Sequence, residues 1–144
     1  MSADQGSPAR AAMALTVIRL MLSLLIAIHG WARLLADGVE PFGAWLTSTG
    51  IPLGPMVATL VTGIEILGTP VLAWGRAVLP LCGLYMVIYL FGIVLVHAPA
   101  GWFVVGLGRN GMEYSVLLIA CLACVAYPYL PERSQRSGAD GATP

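Results

Sequence analysis

Arg19, His29, Glu65, His97 and Glu113 stand inside, or at the edge of, stretches that are otherwise apolar. A charge at the centre of a bilayer costs roughly 2.5–3.5 kcal/mol on insertion scales. Such residues persist by pairing with one another, by lining a polar cavity or by carrying chemistry. Each offers a chemistry. A histidine changes charge near neutral pH, a positioned carboxyl or imidazole moves protons, and a guanidinium next to a carboxylate forms an ion pair.

Depth along the apolar stretches sorts the five. Counted from residue 13, Arg19 lies about 9 Å into the first stretch, and Glu65 lies about 13 Å from the end of the second. Those depths predict an Arg19–Glu65 ion pair that braces two helices or relays protons. Thr16, Arg19, Ser23, Ala27 and Gly30 make a small or polar stripe at helical spacing, and so do Ala58, Thr62, Glu65 and Thr69. Small residues let membrane helices approach closely, so the stripes are expected to face each other. Pro70 frees the carbonyl of residue 66, and Thr69 or a water is expected to satisfy it.

His29, His97 and Glu113 fall near the opposite face and form a second polar layer, with Tyr85, Tyr89 and His97 on one i+4 row. Four readings of this layer stay open. The histidines could cap helix ends. The layer could hold a quinone head, whose carbonyls need donors and whose reduction needs protons. Two histidines and a glutamate could bind a metal. The histidines could also ligate a haem from both sides.

Cys121 and Cys124 are spaced C-x-x-C within the last apolar stretch, and Cys82 lies in the third. Both helix sulfurs would face one way. Burial in lipid disfavours thiolates, so packing is the plain reading and a redox pair the sharper one.

The positioning elements are set by composition. Hydrophobic residues are 58% of the chain and charged residues 10%, against about 25% charged in soluble domains. The expected class is an all-α integral membrane protein in contact with the lipid bilayer. No basic run offers a footprint for nucleic acid. Four apolar stretches, 13–35, 53–74, 77–97 and 112–130, each approach the length that spans ~30 Å of hydrocarbon. They predict a four-helix bundle over residues 13–131, with disordered tails at 1–12 and 132–144.

The connections differ. Gly75-Arg76 predicts a tight turn and an antiparallel hairpin between the second and third helices. Residues 36–52 read as an interfacial segment anchored by Phe42, Trp45 and Leu46. Residues 98–111 read as a Gly-rich loop with Trp102 and Phe103 at the interface. Arg10, Arg76, Arg133 and Arg136 fall on one side and Arg33 and Arg109 on the other, with Arg19 taken as intramembrane. The positive-inside bias then places both termini in the cytoplasm.

Arg19, His29-Gly30, Glu65-Ile66-Leu67-Gly68, Gly75-Arg76, His97, Gly101-Trp102 and Asn110-Gly111-Met112-Glu113-Tyr114 occur in an order and spacing that resembles the DoxX family of small bacterial four-helix membrane proteins. The resemblance covers residues ~15–127. It implies a location in the inner (cytoplasmic) membrane. In some members it implies association with thiosulfate:quinone or other oxidoreductase complexes.

These readings converge on an accessory, quinone-interacting subunit of a membrane oxidoreductase system. His29, His97 and Glu113 would form the polar end of its site, with Tyr85, Tyr89 and Trp102 lining it. The rival expectation is a non-enzymatic assembly factor or scaffold whose buried charges are structural. A third is transport of a small solute, which four helices could support only as a homo-oligomer.

Overall fold

The computed structural model describes residues 7–131. Within them the chain is helical, with no strand. Its first element, α1, runs over Pro8–Leu35. The Ser7 side chain accepts a hydrogen bond from the Arg10 amide, and Pro8 sits where a missing N–H is harmless. Helix therefore begins inside the stretch expected to be an unstructured tail, and residues 8–12 belong to α1. Residues 1–6 of that tail and the tail at 132–144 lie outside the described residues.

The segment expected at the membrane interface forms α2, Val39–Ser48. Phe42 and Trp45, one turn apart, stack with ring centroids 6.1 Å apart. Next come α3, Gly54–Ala73, and α4, Val78–Gly92. The latter continues through a π-helical turn, Ile93–His97, into α5, Ala98–Ala100. Pro99 explains the π-turn. A proline clashes with the carbonyl four residues back and donates no hydrogen bond. Here the turn before it widens, and the Ala98 amide reaches back five residues to the Ile93 carbonyl. The third apolar element thus extends past His97 as one span over Val78–Ala100. The last helix, α6, covers Glu113–Ala126 and ends in a 3-10 turn, Tyr127–Tyr129.

Among the described residues three spans are long and apolar enough to cross a membrane: Pro8–Leu35, Gly54–Ala73 and Val78–Ala100. The fourth, Glu113–Tyr129, is apolar but shorter.

Packing is pairwise. α1 lies on α3, α4 lies on α6, and α1 joins the two pairs by touching α6. α2 packs on α3. The core between the pairs is built from Leu22, Ile26, Leu72, Cys82, Tyr85 and Leu122, all buried. α3 and α4 follow one another through the turn at 74–77, as Gly75-Arg76 predicts, and run antiparallel, with Tyr85 against Ile64 and Gly68. Their backbones approach closely at few points, and midway along both helices the Tyr85 hydroxyl donates to the Ile64 carbonyl at 3.0 Å while Leu81 and Tyr85 lie over Gly68. A short turn fixes two ends in space but not the angle between the helices it joins. Their main partners, α1 and α6, set that angle.

The small and polar stripes meet over part of their length, with Thr16 at the start of the first exposed. Ser23, Gly30, Ala58, Thr62, Glu65 and Thr69 are all buried, and α1 packs on α3 through them. The Thr69 hydroxyl lies 2.8 Å from the Glu65 carbonyl and 3.3 Å from the Ile66 carbonyl, which Pro70 leaves without its helical donor.

Candidate functional site

The register of α1 against α3 decides which charges meet. Gly30 lies on Glu65 so closely that a Cβ at residue 30 would stand 2.8 Å from the Glu65 Cβ. In an antiparallel pair this puts Arg33 level with Thr62, and Arg19 level with the turn at Gly75-Arg76. Helical side chains lean toward the N-terminus of their helix, so Arg33 reaches back toward Glu65. Its Nη1 donates to Glu65 Oε2 at 2.6 Å and to Thr62 Oγ1 at 3.0 Å. The guanidinium also stands 4.7 Å from the Phe42 ring centroid, a cation–π contact that adds to its hold.

The expected Arg19–Glu65 pair is therefore wrong in its arginine. Depth was counted from the edge of the apolar stretch, whereas α1 begins at Pro8 and the Gly30 contact sets the alignment. Arg19 is instead near the end of the bundle. Its Nη1 donates to the Tyr129 hydroxyl at 3.2 Å, and Gly75 lies against its guanidinium. The backbone at Gly75 has φ +79°, a conformation that favours glycine.

Beyond the point where α3 and α4 separate lies a cavity of about 350 Å³. Its walls are mostly apolar: Val57 and Val61 from α3, Val87, Ile88 and Phe91 from α4, and Leu95 and Val96 from the π-turn. α2 closes it with Phe42, Trp45 and Leu46. Its polar groups are His29, Arg33, Glu65, Tyr89 and His97. The volume is within the ordinary range for small-molecule pockets, roughly 300–1,000 Å³.

His97 is held by its Nδ1, 2.8 Å from the Asn110 carbonyl. A carbonyl only accepts, so Nδ1 carries the proton and Nε2 of the neutral ring is an acceptor. Asn110 presents that carbonyl from a left-handed conformation, φ 61°, which asparagine tolerates well.

The sequence-expected residues divide. His29, Tyr89 and His97 line the cavity. Glu113 does not. Its Oε1 accepts from the Val104 amide at 3.0 Å, and its own amide donates to the Trp102 carbonyl, so Glu113 folds the loop at 101–112 onto the start of α6. Trp102 belongs to the same loop and is exposed. Tyr85 is wholly buried and bonded to Ile64, away from the cavity. Tyr85 leaves the expected Tyr85–Tyr89–His97 row within regular α-helix, its hydroxyl taken by the Ile64 carbonyl, while Tyr89 and His97 both line the cavity. Among the described residues no cluster of three His, Cys, Asp or Glu could hold a metal ion. The two-His, one-Glu metal reading thus loses its glutamate. Cys82, Cys121 and Cys124 are free thiols, the first buried and the last exposed.

Arg33, Phe42 and Trp45 are the site residues that sequence reasoning missed. One signal for Arg33 was available. It lies four residues after His29, on the same helical face, and level with the Thr62–Glu65 stripe once Gly30 is matched to Glu65.

Long apolar helices packed side by side, with an ion pair between two of them, define an integral, multi-pass membrane protein. A family model described as DoxX matches residues 14–98. That is more than half of the 144-residue chain, and the chain belongs to the DoxX family. The matched region contains Arg33, Glu65, Tyr89 and His97 and ends before α6. No curated protein and no solved structure matches the chain.

Proposed function

We propose that the cavity receives the head of a lipid-soluble quinone and that the protein is an accessory subunit of a membrane oxidoreductase system. The observation that carries this reading is the cavity itself. Apolar walls suit a ring with hydrocarbon substituents, and a few polar groups can address its oxygens. His97, held in one tautomer, and Tyr89 are placed to exchange hydrogen bonds with such a head. Glu113 and Trp102 act one step removed, by ordering the loop whose Asn110 holds His97.

The same reading places four helices across the inner (cytoplasmic) membrane with both termini in the cytoplasm. The end of the bundle that gathers the start of α1, the Gly75-Arg76 turn and Tyr129 carries Arg10, Arg19 and Arg76, and Arg133 and Arg136 follow in sequence. With Arg33 engaged by Glu65, Arg109 is left as the sole arginine toward the other end. The positive-inside asymmetry is steeper than the sequence count alone.

A scaffold function is the second reading, favoured by the close Gly30–Glu65 contact, which serves packing whatever the cavity holds. Purification in mild detergent, solvent extraction and mass spectrometry separate the two. A stoichiometric quinone that is lost in His97→Ala while the protein stays folded supports the quinone site. A folded wild-type protein that neither retains nor rebinds quinone supports the scaffold.

A further inference from the structure

The Arg33–Glu65 pair does more than join two helices, because half of its hydrogen-bonding capacity is unspent. Arg33 uses only Nη1, which serves both Glu65 Oε2 and Thr62 Oγ1. Its Nη2 and Nε have no partner among the described residues, and neither does Glu65 Oε1. Arg19 Nε is the sole buried side-chain polar atom left unpartnered among the described residues. The Arg33 side chain is 17% exposed and that of Glu65 3%, and the space that both residues line is the cavity.

We propose that this pair is the recognition element of the cavity and selects the reduced, hydroxyl-bearing form of the ligand, a hydroquinone, over the quinone. The inference rests on the quinone reading above. A guanidinium offers donors only and a carboxylate offers acceptors only. Side by side they match a group that both accepts and donates. A hydroquinone hydroxyl meets both demands: its oxygen accepts from Arg33 and its proton goes to Glu65 Oε1. A quinone carbonyl satisfies Arg33 but turns its lone pairs toward the carboxylate. Hydrogen bonds to charged groups are about twice as strong as neutral ones, and the low dielectric of the site raises the penalty for the mismatch.

The test uses a decyl-substituted benzoquinone and its chemically reduced hydroquinone, titrated anaerobically into the full-length protein in detergent. Binding is read by quenching of tryptophan fluorescence, since Trp45 lines the cavity. The hydroquinone is expected to bind at least about tenfold more tightly, the ratio set by one charge-assisted hydrogen bond. Glu65→Gln supplies an amide that can donate to the carbonyl, so the ratio should fall to about one. Glu65→Gln also leaves Arg33 without its anion. The neutral double variant Arg33→Gln/Glu65→Gln avoids that unpaired charge and should show the same loss of preference. Equal binding of both forms to the wild type overturns the inference and leaves the quinone site standing, as does a preference that survives in both variants. Binding of neither form to the folded wild type overturns the quinone reading and the inference with it.

Discussion

Gly30 and Glu65 are in van der Waals contact across α1 and α3, and that contact sets which arginine the glutamate meets. With no Cβ at residue 30, the α1 backbone approaches the Glu65 side chain directly. Arg33, one turn further along, then folds back over the carboxylate. One glycine thus fixes the helix spacing and the partner of a buried charge.

Enlarging residue 30 should break both. In Gly30→Val the added Cβ would fall 2.8 Å from the Glu65 Cβ and 3.0 Å from Ile66 Cγ1. Overpacking of this kind costs about 1–3 kcal/mol. The expected outcome is a lower melting temperature in detergent by tryptophan fluorescence, with Gly30→Ala milder than Gly30→Val.

The ion pair should behave non-additively. Glu65→Leu or Arg33→Met alone strands a charge and is expected to cost about 3–5 kcal/mol. The double variant Arg33→Met/Glu65→Leu removes both charges and should recover most of that loss. Thermal melts of the four proteins give the coupling energy directly. Near-additive losses would show that the two side chains act independently.

Pro99 should be needed for the orientation of His97. In Pro99→Ala the clash with the Leu95 carbonyl disappears, and the π-turn can relax into α-helix. His97 would then turn away from Asn110, at a cost near that of one hydrogen bond, ~1 kcal/mol. Hydrogen exchange should show faster exchange in the loop at 101–112, and imidazole NMR shifts should report the lost Nδ1–H bond. Unchanged imidazole shifts would place the cause of the π-turn elsewhere.

The arginine asymmetry predicts topology. A fluorescent reporter that folds only in the cytoplasm should be bright when fused after Pro144 and dark when inserted into the loop at 101–112. The reverse pattern would overturn the proposed orientation.

Much of the fold was legible because hydrocarbon is a strict solvent. The four apolar stretches, the turn at Gly75-Arg76 and the Thr69 bond beside Pro70 follow from hydropathy and from the need to satisfy backbone groups. What escaped was register and rotation. Arg19 and Arg33 are both intrahelical arginines, and depth counted from apolar edges chose the wrong one because α1 starts earlier, at Pro8. The i+4 row reaches the cavity at Tyr89 and His97 but not at Tyr85, whose bond to the Ile64 carbonyl on α3 a helical period does not reveal. Glu113 looked like a ligand from its position at a helix start, yet the Val104 amide claims its carboxylate. His29 and His97 follow from their depth near one face, and Tyr89 from its helical spacing with His97. Phe42 and Trp45 were assigned to the interface because an amphipathic helix lying on a bilayer and one roofing a cavity have the same sequence pattern.

The inequality of the outer helices bears on the surrounding lipid. α1, with 28 residues, is about 42 Å long, and the last span, Glu113–Tyr129, is about 26 Å. A bilayer matched to one flank overruns the other, and such mismatch is relieved by local thinning, by tilt or by apolar residues beyond the helix. Val105 and Leu107, 78% and 89% exposed in the loop before α6, supply apolar height on the short side. The protein therefore presents two different hydrophobic thicknesses to its membrane, and a thick, stiff bilayer should tolerate it less well than a thin, compliant one.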